Sequence, residues 1–98
     1  MYKVRYHKLV LKEDFKGIQK GDQLKIVKAI KKKLARGPEE LGKPLTGDLK
    51  GYCRLRVDVY RVVYRISKGR VEVLVIKVGL RKDMKAYIQA AKRLGLLK

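Results

Sequence analysis

Four residues, Arg54, Arg61, Arg81 and Tyr87, carry the side chains whose types and spacing point to chemistry. Arginine is planar, permanently charged and able to grip a phosphate through two parallel hydrogen bonds. Arg54 and Arg61 fall on two strand-like runs joined by a short break, so they can approach each other across a sheet. Arg81 follows the end of a third apolar run at Val78-Gly79, and Tyr87 comes at the start of a helical pattern. Two strands, a strand end and a helix start make a sensible cradle for one phosphodiester. Any one arginine alone reads as a solvated or ion-paired surface residue. With 27 basic residues and only 9 acids in the chain, that reading is weaker for the group.

The elements that must hold these residues are legible around them. From Tyr52 to Arg65 the chain alternates apolar and basic residues. Successive side chains of a strand point to opposite faces. Cys53, Leu55, Val57 and Val59 therefore share one side, and Tyr52, Arg54, Arg56 and Asp58 the other. The first set packs on a core while the second presents fixed guanidiniums. Arg56, Arg65, Lys77 and Lys82 are expected to extend this surface as RNA-binding residues.

Upstream, Tyr2 to His7 alternates and predicts a first strand. Leu11, Phe15 and Ile18 predict a short helix ending near Gly17 to Gly21. Asp22 is the expected N-cap of a second helix with the stripe Ile26, Val27, Ile30 and Leu34. Its solvent face carries Lys25, Lys28, Lys32 and Lys33, expected to meet RNA phosphates. Gly37-Pro38 stops it, and residues 38–51 form a connecting loop. Strands are expected over about 52–58, 60–67 and 70–78, with Ser67-Lys68-Gly69 as a hairpin turn. The last is apolar on both faces apart from Glu72 and Lys77, which predicts an interior position. Met84, Tyr87, Ile88 and Ala91 then form a helical stripe, with Lys85, Lys92 and Arg93 outside it. The order β-α-α-β-β-β-α predicts an α+β domain: an antiparallel sheet with two N-terminal helices and a C-terminal helix.

Composition bounds the partners. Ninety-eight residues at 46% hydrophobic suffice for one core, so the charge does not signal disorder. A net charge of +18 far exceeds what solubility needs and implies a polyanionic partner. No segment approaches the roughly 20 apolar residues of a membrane span, and the N-terminus enters a strand pattern rather than a signal peptide. The single cysteine, Cys53, allows neither an internal disulfide nor a zinc site and reads as a buried small hydrophobe. A reduced, cytoplasmic protein is expected.

Competing chemistries find little support. His7 is the only histidine, so a two-histidine nuclease pair cannot be built. It reads as solvated or locally hydrogen-bonded. The acids are scattered, with no pair at two-metal spacing. P-loop, dinucleotide and GxSxG motifs are absent. An enzyme here is expected to work without metal or cofactor.

The run PLTGDLKGYCRLRVDVYRVVYRI followed by VEVLVIKVGLRKDMKAY resembles the RelE branch of the RelE/ParE toxins of type II toxin–antitoxin pairs. The resemblance spans nearly the whole chain, as a single RelE-like toxin domain over residues 1–98. Its most specific parts are the R-x-R-x(3)-YR-x-x-Y strand pair and the strand-G-x-R ending with a tyrosine six residues on. It implies a microbial-ribonuclease-like fold and cleavage of mRNA in the ribosomal A site, by attack of the ribose 2′-hydroxyl on the adjacent phosphorus. It also implies neutralisation by a cognate acidic, RelB-like antitoxin. By position, Arg54 matches a member of the family's basic strand pair, Arg61 its central arginine, Arg81 its strand-end arginine and Tyr87 its catalytic tyrosine. Tyr52 stands where the best-known members place a lysine with a proton-transfer role, which leaves the base open. Guanidiniums would stabilise the charge gained at phosphorus. Tyr87, crowded by cations, suits proton transfer, and its ring equally suits stacking on a base. A ParE-type gyrase inhibitor and a non-catalytic RNA-binding module are the alternatives. The C-terminal helix, with few large apolar residues, is expected to move when the antitoxin binds.

Overall fold

The basic alternating run folds as two antiparallel strands, β3 (Cys53–Val57) and β4 (Tyr60–Ser67), joined at Asp58-Val59. Asp58 takes a left-handed backbone (φ 56°), which aspartate tolerates better than most residues. The computed structural model describes residues 1–80 and 85–95. Among these, β1 (Lys3–Tyr6), β2 (Lys43–Pro44) and β5 (Glu72–Leu80) complete a five-stranded sheet in the order β1-β5-β4-β3-β2. The fold is α+β. The sheet is mixed rather than antiparallel, because β1 pairs parallel to β5, Lys3 against Glu72 through Tyr6 against Val75. Alternation fixes which side chains share a face but carries no strand direction, so the sequence could not reveal this.

One face of the sheet packs on the N-terminal helical layer. This comprises a wide turn at Val10–Asp14, a tight one at Phe15–Gly17, and α1 (Lys20–Ala29) continuing as a wide turn over Ile30–Leu34. Val10, Ile26, Ile30, Leu34, Val62, Tyr64, Val73 and Val75 are fully buried there. Each such aliphatic side chain contributes about 1.5–3 kcal/mol by leaving water. Helix α1 begins after Gln19 rather than at Asp22. Asp22 lies in its first turn, where its carboxylate accepts a 2.7 Å hydrogen bond from the Tyr60 hydroxyl. The expected stripe through Leu11 is also displaced. The Val10–Asp14 turn is wider than an α-turn, so Val10, Asp14 and Phe15 face inward and Leu11 is 56% exposed.

The connection over 38–51 is more structured than expected, with α2 (Pro38–Leu41), β2 and a tight turn at Gly47–Leu49. Its anchor is Tyr64, whose buried hydroxyl donates a 2.6 Å hydrogen bond to the Pro38 carbonyl. The chain then passes over that hydroxyl at Gly42, where a β-carbon would collide with the Tyr64 ring and the Arg54 carbonyl.

The other face carries helix α3 (Lys85–Arg93). Ala90 and Ala91 pack on Leu49, Val63 and Ile76, with Tyr87 and Leu94 beside them. Among the described residues the contact stripe is thus 87, 90, 91 and 94, and Ile88 is 49% exposed, while Met84 of the expected stripe lies outside the described residues. Strand β5 is interior and buried on both faces, as its composition predicts, but runs to Leu80. A bulge interrupts its pairing with β4: Val63 faces Lys77 while Tyr64 faces Val75. The extra residue lets Val75 and Val78 serve the same core.

Candidate active site

The face under α3 collects the basic strand residues. Arg56 stands directly opposite Arg61 in the β3–β4 register, and Arg54 lies two residues along, opposite Val63. Like charges placed directly across a sheet are destabilising, and among the described residues none of the three arginines makes an ion pair. On its other side Arg61 faces Gly79, so no cross-strand side chain contests its space.

Arg61 is the most enclosed of them, only 8% exposed. Its guanidinium carbon lies 4.3 Å from the centroid of the Tyr87 ring, in cation–π geometry. Among the described residues no acceptor reaches its Nε and Nη1 atoms. A buried donor without a partner is costly, and Arg61 keeps two donors that no described residue satisfies. Arg54 is half-buried and Arg56 exposed, forming a flank to this centre. Arg65 is also exposed, further along β4 near Arg5 and Arg70. Arg81 and Lys82 lie outside the described residues.

Lys77 does not belong to this surface. It is 8% exposed, and its ammonium donates a 2.6 Å hydrogen bond to Asp14. The register sets it opposite Val63, on the arginine side, but Asp14 sits just beyond the end of β1 and holds it there, also accepting the Val78 N–H at 2.9 Å. Arg93, expected outside the helical stripe, joins the same carboxylate through both terminal nitrogens at 2.9 and 3.0 Å. Of the α1 lysines, Lys28, Lys32 and Lys33 are exposed, while Lys25 pairs with Asp58 at 3.3 Å on the surface.

Lys43 was not legible as part of the site. It faces Arg54 in the β2–β3 register and so shares the arginine face. Its strand is two residues long within a Gly- and Pro-containing connection, which leaves no periodic signal. Tyr52 packs against the apolar cluster beneath α3. Cys53 packs at the edge of the core on the opposite face, and burial pushes its thiol up, against the opposing effect of a hydrogen bond with Tyr64. His7 is locally bonded, accepting the Leu9 N–H on Nδ1 at 3.1 Å. Partial burial and the charges of Arg93 and Lys8 lower its pKa.

Comparison with known proteins places the chain in a family. Residues 4–85 match the family model described as ParE toxin of type II toxin-antitoxin system, parDE. The chain is 44% identical to Toxin RelE of Mycobacterium tuberculosis over 48 residues, covering 49% of this chain and 50% of that protein. The matched stretch thus spans about half the length of that curated relative. Among solved structures, the toxin–antitoxin complex RelBE2 from M. tuberculosis superposes with a TM-score of 0.77 at 29% identity, covering 84% of this chain and 93% of the other. A free E. coli RelE toxin mutant superposes with a TM-score of 0.72 at 26% identity, covering 95% and 97%. With a family match over most of its length and an arginine–tyrosine face on a RelE fold, the chain belongs to the ParE toxin family of type II toxin–antitoxin systems, as a RelE-like member of the RelE/ParE superfamily.

Proposed function

We propose that this protein is a ribosome-dependent endoribonuclease that cuts mRNA in the ribosomal A site and so inhibits translation. The observation that carries this reading is Arg61: buried, stacked on Tyr87, and with two guanidinium nitrogens that no described residue satisfies. In the proposed reaction the ribose 2′-hydroxyl loses its proton and its oxygen bonds to the adjacent phosphorus. The phosphorus–5′-oxygen bond breaks, and the leaving oxygen takes up a proton. Arg61 holds the non-bridging oxygens as charge builds on them, and its fixed position avoids reorganisation at that moment. Arg54 and Arg56 draw the message to the face, and Arg81 is assigned to the same cluster from the sequence. Tyr87 orients Arg61 through its ring and presents a hydroxyl for proton transfer.

The net charge of +18 supports contact with ribosomal RNA through Lys28, Lys32 and Lys33. It also suits an acidic antitoxin, and the M. tuberculosis relative was solved as a toxin–antitoxin complex. Primer extension on mRNA bound to programmed ribosomes tests the activity: cuts should map to the A-site codon and vanish without ribosomes. Intact message at saturating protein would refute the reading.

A gyrase-inhibiting reading is favoured by one observation, the ParE description of the matching family. Nothing in gyrase inhibition calls for a phosphate receptor built of Arg61 and Tyr87, which is why the nuclease reading stands first. A supercoiling assay with purified gyrase separates them, since the nuclease should leave gyrase unaffected.

A further inference from the structure

Among the described apolar side chains of helix α3, only the small Ala90 and Ala91 are buried, with Tyr87 and Leu94 partly buried beside them. Methyl groups fix separation well but resist sliding and rotation poorly. At the C-terminal end of the helix, however, Arg93 is only 5% exposed along its side chain and Asp14 is fully enclosed. Arg93 Nη1 donates to Asp14 Oδ2 at 2.9 Å and to the Ile76 carbonyl at 3.0 Å. Its Nη2 donates to Asp14 Oδ1 at 3.0 Å and to Glu13 at 3.4 Å. This is a fork-to-fork pair between residues 79 apart in the chain.

The other contacts of Asp14 show what the fork is anchored to. Lys77 and the Val78 N–H bind the same carboxylate, so Asp14 is tied to β5. The next residue of β5, Gly79, faces Arg61. Tyr87 and Arg93 are six residues apart on α3, about 9 Å along the axis. The helix and Arg61 are therefore referenced to the same stretch of β5.

We propose that Asp14 and Arg93 are positioning residues that set the register of α3 on the sheet, and through it the place of the Tyr87 ring over Arg61. Arg93 is the removable half. Without it, Asp14 keeps Lys77 and the Val78 N–H, so the sheet and the N-terminal layer stay intact. Lysine at 93 retains the charge but lacks the planar fork that meets both Asp14 oxygens through parallel hydrogen bonds.

The catalytic consequence rests on the nuclease reading, whereas the geometric one does not. The test uses full-length wild type, Arg93→Gln and Arg93→Lys, with Tyr87→Leu as the reference lacking the ring. The Nε–H signal of Arg61 reports the ring current of Tyr87 by NMR. It should move in Arg93→Gln to the position it takes in Tyr87→Leu, and Arg93→Lys should restore it only in part. Amide exchange over 87–93 should quicken at least roughly tenfold, with Val62 and Val73 unchanged. Single-turnover cleavage on ribosomes should fall roughly 10- to 100-fold at unchanged ribosome affinity. An Arg61 signal unmoved in both Arg93 variants would overturn the proposal, as would full restoration by lysine. Wild type that cuts no message would sink the nuclease reading alone, with the Arg61 signal still deciding the positioning role.

Discussion

The Arg61 guanidinium carbon sits 4.3 Å from the centroid of the Tyr87 ring, joining the middle of the sheet to the start of the last helix. The stack gives the tyrosine two separable contributions, a ring that holds the cation and a hydroxyl that can exchange a proton. Tyr87→Phe keeps the first and Tyr87→Leu removes both. Cleavage rates on programmed ribosomes should fall in the order wild type, Phe, Leu. Equal rates for Phe and Leu would show that the ring contributes nothing.

Arg61 is expected to act on the transition state more than on binding, since its charge matters most as the phosphorus gains electrons. Arg61→Ala should slow single-turnover cleavage by roughly 10²-fold or more while ribosome affinity falls much less. Parallel losses in both would reduce Arg61 to an RNA anchor.

The exposed lysines of the α1 layer should behave in the opposite way. Neutralising Lys28 and Lys32 should weaken ribosome binding and flatten its salt dependence by roughly one unit of slope per lost phosphate contact. Lys33 should add to this, and Lys25 less, because Asp58 already engages it. A salt slope identical to wild type would make them an ordinary solvated face.

Gly42 passes so close to Tyr64 and to the Arg54 carbonyl that an added methyl group has no room. Gly42→Ala should destabilise the fold by about 1–3 kcal/mol, the usual range for overpacking. The shift should appear in urea unfolding, and an unchanged midpoint would show that the connection yields easily.

Tyr64 also predicts an alkaline limit to stability. Burial raises its pKa well above the unfolded value of 10.0, so the folded state holds the proton more tightly. That stability is intact below pH about 10 and is lost as pH rises toward the folded pKa. Tyr64→Phe should flatten the fall of melting temperature above pH 10. The flattening should be incomplete, because Tyr6 is raised by burial and Tyr60 by its bond to Asp22. Superimposable curves for the two proteins would exclude the effect.

What the sequence determined by itself was whatever depends on local period. Alternation from Tyr52 onward sets Arg54 and Arg56 against Leu55 and Val57 in any strand, and the double-sided apolar run of β5 demands an interior place. The α1 stripe through Ile26, Ile30 and Leu34 survives because helical geometry brings those positions to one side whatever lies opposite. The tertiary structure decided whatever depends on direction, register or distant partners. Parallel pairing of β1 leaves the edge of β5 beyond Val75 open to Asp14. Asp14, 63 residues away in the chain, turned Lys77 from an expected RNA contact into half of a buried ion pair. Arg93, polar by type and placed outside the stripe by periodicity, is enclosed because its carboxylate partner arrives from 79 residues away. Charge tells a sequence reader that a side chain seeks water or a counter-ion. Only the packed chain decides which one it meets.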